Sequence, residues 1–140
     1  MNLSIGEASL FVHKLVDLIE PRKNVDVVLA PSLLALQSIS LQAHMHHFKL
    51  AAQNFYWRDS GAFTGEVSAN QLRGLVQYAL VGHSERRHIF LEHDRDIRNK
   101  VQAAYRHGII PVLCVGETAI ERTMGETTDV LHDQLIGGLS

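Results

Sequence analysis

A histidine lies between a glycine and a serine at a predicted strand–helix junction in residues 81–87. The apolar run at 78–81 predicts a buried strand, and the polar residues after it predict a helix. In α/β proteins, the carboxyl end of a strand beside the amino end of a helix is where ligands bind. Ser84 is a favourable N-cap, and the positive end of its helix would disfavour a protonated imidazole. His83 is therefore predicted to be a neutral ring in an active site, and the alternative is a solvated turn.

The other candidate nucleophiles and ligands are weaker. Cys114 lies within the apolar run at 109–115 and is predicted to be a buried, inert thiol, because no histidine or helix amino end is obviously adjacent. His44, His46 and His47 are loosely spaced and no cysteine or carboxylate joins them, so no metal site is predicted. Four more histidines are predicted to lie at the surface: His88, His93, His107 and His132.

The elements that position these residues follow from apolar periodicity. A first helix is predicted over residues 4–20, with Ser4 and Glu7 as a capping box and Pro21 as its end. The predicted strands are residues 25–30, 49–57, 78–82 and 109–115. The later predicted helices are residues 33–43, 69–76, 91–107 (ended by Gly108) and 127–136, with a loop at 58–68.

Strands that alternate with helices predict an α/β fold with parallel strands and right-handed crossovers. Continuous apolar runs indicate strands covered on both faces. A repeat of about 25–30 residues matches the βα unit of a barrel or a doubly wound sheet. No strand precedes the first helix, and four strands would leave two open apolar edges. Residues 1–140 are therefore expected to be a single incomplete domain, an interior piece of something larger.

Composition excludes several classes of function. The chain has 140 residues, 46% hydrophobic, with a net charge of −2, so neither nucleic-acid nor membrane-surface binding is expected from bulk charge. One cysteine excludes an intramolecular disulfide and fits a reducing compartment. No apolar run approaches the roughly 20 residues of a membrane span, and no signal peptide is visible. A cytoplasmic protein is expected.

Three segments together resemble the triosephosphate isomerase family. They are Ala-Gln-Asn at 52–54 with Gly-Ala-Phe-Thr-Gly-Glu at 61–66, Val-Gly-His-Ser-Glu-Arg-Arg at 81–87, and Pro-Val-Leu-Cys-Val-Gly-Glu-Thr at 111–118 with Glu121 and Arg122. The resemblance covers essentially the whole chain and implies part of a (β/α)8 barrel of roughly 250 residues. The four strands resemble the second to fifth strands of that barrel. Met1 and Asn2 resemble the pair that follows the family's catalytic lysine, and the catalytic glutamate is expected to lie beyond Ser140.

This resemblance implies isomerisation of dihydroxyacetone phosphate and glyceraldehyde 3-phosphate through an enediolate, without a cofactor or a metal. The family is a known example of a neutral histidine that polarises a carbonyl, and His83 matches that histidine. Ser84 and Glu85 match its neighbours, and Glu85 would contact the lysine. The lysine and the glutamate base match no residue here, so the chain alone is expected to be inactive.

The loop at 61–66 resembles the family's dimer loop, which implies a homodimer. Thr64 would be the tip of this loop, and Gln53 and Asn54 would line the interface. Phe63 favours a partner, because exposed aromatic residues are enriched at interfaces. The alternative is a glycine-rich surface turn.

Arg86 and Arg87 could bind phosphate, but the resemblance favours structural roles. Arg86 is expected to pair with Glu66 across the loop. Glu117 and Arg122 look like a second structural ion pair, at the end of the last strand.

Two alternatives have other functions. A non-catalytic half barrel could pair through its open strands or its loop, or the chain could be a decayed fragment. A flavodoxin-like phosphate-binding domain is disfavoured, because no glycine-rich loop follows the first strand.

Overall fold

The structure is a computed structural model that describes residues 2–20, 23–43 and 48–140. In chain order, the elements are α1 (Ile5–Leu18), β1 (Val27–Leu29), α2 (Leu33–Ala43), β2 (Phe48–Ala52), α3 (Ala69–Leu72), β3 (Tyr78–Val81), α4 (Ser84–His88), α5 (Asp94–Arg106), β4 (Ile110–Leu113), α6 (Ala119–Met124) and α7 (Thr127–Leu139). None of the helices in these ranges has the length and apolar run needed to cross a membrane.

The strands form one parallel sheet in the order β1-β2-β3-β4. Each strand pairs with its neighbour in the chain, and the longest register runs from Tyr78 opposite Ile110 to Val81 opposite Leu113. The predicted α/β fold with four parallel strands is therefore confirmed. Because all strands run in the same direction, their carboxyl ends share one edge of the sheet.

The helix boundaries depend on local backbone chemistry. Helix α1 begins with the predicted capping box, in which Ser4 and Glu7 each bond the other's backbone N–H. It ends at Leu18, and the predicted stop at Pro21 lies outside the described residues. Helix α5 starts at Asp94 rather than at residue 91, because Leu91 has a φ of +53°, which a right-handed helix excludes.

Two further boundaries differ from the prediction. Helix α3 ends at Leu72 rather than at residue 76, because Arg73 is non-helical and Gly74 has a φ of +82°. Strand β2 ends at Ala52 rather than at residue 57, so the aromatic residues at 55–57 lie in the following loop. Helix α6 was not predicted.

The core lies between the sheet and the helices. Alternate strand residues such as Leu50, Ala79 and Val81 are buried against α2 and α5. On the other face of β4, Ile110 and Val112 remain 54% and 40% exposed. The prediction that both faces are covered is therefore wrong for the described residues, since the helices cover only one. The uncovered residues have the positions that face the interior of a closed barrel.

Candidate active site

The site residues lie where the strands end. Strand β3 stops at Val81, and Gly82 turns the chain with a φ of +71° before His83. At the same edge, Gln53 and Asn54 follow β2, and Cys114 follows β4. The predicted placement of His83 at the carboxyl end of a buried strand is therefore confirmed.

His83 is itself the N-cap of α4. Its Nδ1 atom accepts a hydrogen bond from the backbone N–H of Glu85 at 3.3 Å, and its own φ and ψ are −53° and 145°. The prediction that Ser84 is the N-cap is wrong, because Ser84 is the first helical residue and the imidazole makes the capping contact. A histidine seldom caps a helix, so sequence preference pointed to the serine.

The capping hydrogen bond determines which nitrogen of the His83 ring can donate a hydrogen bond to a ligand. A nitrogen that accepts an N–H bond carries no hydrogen, so the neutral His83 ring carries its hydrogen on Nε2. The side chain is 44% exposed, so a small molecule can reach it. The ring can therefore present an N–H donor from the end of β3.

Glu85 is a separate, solvated carboxylate. Its Oε2 atom lies 3.8 Å from His83 Nδ1, which is beyond hydrogen-bond range, and the side chain is 71% exposed. Because Nδ1 already accepts a hydrogen bond from the Glu85 backbone N–H, it has no hydrogen to donate to the Glu85 carboxylate. This carboxylate therefore does not orient the ring.

Arg87 donates hydrogen bonds to three parts of the fold beneath this site. Its Nε atom donates to the Gly82 carbonyl at 2.8 Å, and its Nη1 atom donates to the Asp94 carboxylate at 2.8 Å. Its Nη2 atom donates to the Cys114 carbonyl at 3.3 Å. The Arg87 side chain is only 10% exposed, so the guanidinium is a buried group rather than a surface charge.

Cys114 lies one residue beyond β4 and is half-buried, rather than deep in the strand as predicted. Burial raises the pKa of its thiol, and the nearby positive charge of Arg87 only partly opposes this effect. A raised thiol pKa leaves less thiolate at neutral pH, as expected of an unreactive cysteine.

Arg86 belongs to a second buried group of charges. Its Nε atom lies 3.8 Å from the Glu92 carboxylate, and its guanidinium stacks 4.4 Å from the centre of the Phe90 ring. The predicted pairing with Glu66 is therefore wrong. The ammonium group of Lys100, a buried residue of α5, binds the Glu92 carboxylate and holds it near Arg86.

The ammonium group of Lys100 also forms a hydrogen bond with Asn54. Lys100 is 3% exposed, and its Nζ atom donates to Asn54 Oδ1 at 2.7 Å. Burial lowers the pKa of Lys100, although the Glu92 carboxylate opposes that shift. The Asn54 side chain is thus bound within the chain.

The loop at 61–66 has packing of its own. The Phe63 ring lies 4.6 Å from the Tyr56 ring and is 39% exposed, and Thr64 is exposed. Gly61 has a φ of +138°, which favours glycine, and a Cβ atom there would lie 2.6 Å from the Phe63 ring. Gln53, also exposed, donates to the Ala30 carbonyl at 2.8 Å.

The end of β4 carries the predicted ion pair. Arg122 Nε lies 2.7 Å from Glu117 Oε1, which confirms that prediction. A hydrogen bond from its own backbone N–H, followed by the one from Arg122, holds the pKa of the Glu117 carboxyl below its usual range. Gln134 of α7, which the sequence did not single out, accepts from the Gly116 N–H and donates to its carbonyl.

The histidine group at His44, His46 and His47 lies outside the described residues. Across the part of the chain that the structure describes, no group of three or more histidine, cysteine or acidic side chains could hold a metal ion. Of the predicted surface histidines, His107 is the exception, because it is half-buried against Asp59 at 2.8 Å.

A parallel sheet covered by helices on one side, with a helix-capping histidine at the end of a strand, is the arrangement of part of a (β/α) barrel. The family model for triosephosphate isomerase matches residues 1–140, and the chain belongs to this family.

Relatives agree with this assignment. A triosephosphate isomerase of Alkaliphilus metalliredigens (strain QYMF) is 41% identical over 136 residues, which are 96% of this chain and 54% of the relative. A crystal structure of triosephosphate isomerase from Bartonella henselae matches with a TM-score of 0.90 and 31% identity, covering all of this chain and 58% of that chain. The chain thus spans about half the length of the relatives described here, and its fold is confirmed as part of their barrel.

Proposed function

We propose that this chain supplies the electrophilic part of a triosephosphate isomerase site, which interconverts dihydroxyacetone phosphate and glyceraldehyde 3-phosphate. The observation that carries the proposal is the capping bond from the Glu85 amide to His83 Nδ1. That bond leaves Nε2 to carry the hydrogen when the ring is neutral, on a side chain that is 44% exposed.

The chemistry requires such a donor. When a base removes a proton from the carbon next to a carbonyl, negative charge grows on the carbonyl oxygen. A hydrogen bond from His83 Nε2 would stabilise that charge more in the transition state than in the substrate, which is what lowers the barrier. A neutral histidine in this role is established for the family.

We further propose that the 140 residues alone do not catalyse the isomerisation. The acidic side chain nearest to the ring is that of Glu85, and its carboxylate lies beside Nδ1, the nitrogen engaged in the cap. No residue of the sequence matches the family's glutamate base, so proton removal would have no positioned acceptor.

A homodimer is the proposed assembly, formed through the loop at 61–66. The partly exposed Phe63 and the exposed Thr64 support this proposal, because both lie on a loop shaped by its own glycines. Gln53 is also exposed, although its side-chain amide donates to the Ala30 carbonyl, and the side-chain oxygen of Asn54 accepts a bond from Lys100.

Turnover of glyceraldehyde 3-phosphate tests the proposal in two preparations. The purified chain alone should give no rate above buffer. The chain mixed with the remaining part of the Bartonella henselae barrel should give measurable isomerisation. A rate from the chain alone that equals the rate of the mixture would contradict the proposal.

A second candidate function is a non-catalytic interaction module. It is favoured by the uncovered face of the sheet, where Ile110 and Val112 stay exposed. A half barrel of this kind would associate through that face without isomerase activity in any mixture. Size-exclusion chromatography beside the turnover assay separates the two candidates.

A further inference from the structure

We propose that Arg87 is a positioning residue for His83, which holds the end of β3 in the conformation that presents the imidazole. This inference rests on the proposed function of His83. Arg87 does not touch the expected position of substrate, because its guanidinium bonds with protein groups behind the turn.

The three hydrogen bonds of Arg87 converge from different elements. Nε binds the carbonyl of Gly82, the residue directly before His83. Nη2 binds the carbonyl of Cys114 at the end of the neighbouring strand, and Nη1 binds the first residue of α5, Asp94. A planar guanidinium can satisfy all three acceptors at fixed angles, which an ammonium group cannot.

Gly82 shows that the guanidinium and the turn depend on each other. A Cβ atom built on Gly82 would lie 3.0 Å from Arg87 Nη2 and 3.1 Å from Ile97 Cδ1. The guanidinium thus fills the space directly beneath the turn. The left-handed φ of +71° at Gly82 directs its carbonyl toward Nε and sets the direction of the chain into His83.

The cap on His83 should be sensitive to this support. The bond from the Glu85 amide to Nδ1 is 3.3 Å, at the long end of the range, so a small rotation of the turn would break it. Without that bond, either nitrogen of the neutral ring could carry the hydrogen. Loss of Arg87 is therefore expected to let His83 populate both neutral tautomers, even where the chain stays folded.

The test uses the 140-residue chain labelled with 15N-histidine, with the His83 signals assigned by their loss in His83→Gln. In the unchanged chain, His83 should show a single Nε2–H tautomer. Arg87→Lys keeps the charge, and it should give a mixture of tautomers and an exchange rate of the Glu85 amide about tenfold faster. Arg106→Lys, the same substitution at an ion pair with both side chains about half exposed, should change neither signal.

The outcome is decisive in each case. If Arg87→Lys folds and His83 keeps its single tautomer and a slow Glu85 amide, the inference is overturned. If Arg87→Lys does not fold, Asp94→Asn replaces it, because it removes only the charge that faces Nη1. Altered His83 signals in Asp94→Asn support the inference, and unaltered signals overturn it.

These signals are independent of catalysis. An altered tautomer in a chain that never supports isomerisation would leave Arg87 as the positioning residue while the proposed function fails. Where the mixture with the rest of the barrel is active, Arg87→Lys should lower kcat and leave KM nearly unchanged, because only the transition state uses the orientation of the ring.

Discussion

The ammonium group of Lys100 binds the carboxylate of Glu92, and both side chains are almost wholly removed from water. Without Lys100, the buried Glu92 carboxylate would keep only Arg86, whose Nε atom is 3.8 Å away and outside hydrogen-bond range. Lys100→Met should therefore lower the free energy of unfolding by about 3–5 kcal/mol, measured by urea denaturation.

Two controls separate burial from simple loss of charge. Lys49→Met removes a cation from an exposed pair, whose side chains are 41% and 62% exposed, and should cost no more than about 1 kcal/mol. The double variant Lys100→Met/Glu92→Leu should recover much of the loss, since neither position then carries a buried charge. Equal costs for Lys100→Met and Lys49→Met would contradict this account.

Leu91 is the one described residue other than glycine with a positive φ, at +53°. Its side chain is 70% exposed, so replacing it removes little packing. Leu91→Gly should raise the free energy of unfolding by about 1 kcal/mol, because the left-handed conformation costs glycine little. Leu18→Gly, at an exposed leucine in α1, should give no such gain, and a gain of equal size there would refute the strain argument.

Gly82→Ala should destabilise the chain by about 1–3 kcal/mol, because alanine would adopt a strained φ and its methyl group would press on Arg87 and Ile97. Gly108→Ala is the matched control, since Gly108 has a φ of +70° and a Cβ there meets no atom within 4 Å. Thermal unfolding of both variants measures the difference. A loss of stability at Gly108 as large as that at Gly82 would show that the space beneath the turn is not limiting.

The sequence predicted the parts of this fold that are encoded locally. The pair Ser4 and Glu7 caps α1 as its spacing indicates. The same signal exists in Thr118 and Glu121, which form a capping box, but α6 has only six residues and so gives little periodicity. Helical periodicity therefore found the long helices and missed α6, which has no buried residue.

Contacts between distant residues were not predictable in the same way. Lys100 bonds with Asn54, which is 46 positions away, and nothing in either segment indicates a buried cation. Asn54, which was predicted to line a dimer interface, thus forms a hydrogen bond within its own chain. The capping role of His83 was missed for a different reason, because residue preference at helix starts favours serine over histidine.

Asp59 gives the chain a contribution to stability that depends on pH. Its hydrogen bond with His107, followed by that with Arg106, holds the pKa of Asp59 below its ordinary value of 3.8. An aspartate with a lower pKa in the folded state stabilises above the unfolded pKa, and this stability is lost as pH falls through the folded pKa. Asp59→Asn should therefore flatten the loss of stability below about pH 4, measured by urea denaturation at several pH values.

His107→Ala should flatten the same region of the curve, because it removes the largest cause of the shift. His132→Ala is the control at an exposed histidine and should leave this region unchanged. An unaltered acid slope in Asp59→Asn would show that the contact contributes nothing.

The role of His83 is tested most directly by isomerase turnover in the mixture of this chain with the rest of the barrel. His83→Gln should lower kcat by about a hundredfold or more, because the enediolate loses its positioned donor. His88→Gln, the same substitution at an exposed position of α4, should keep kcat within about twofold. Equal rates for His83→Gln and the unchanged mixture would contradict the assignment of His83 as the electrophile.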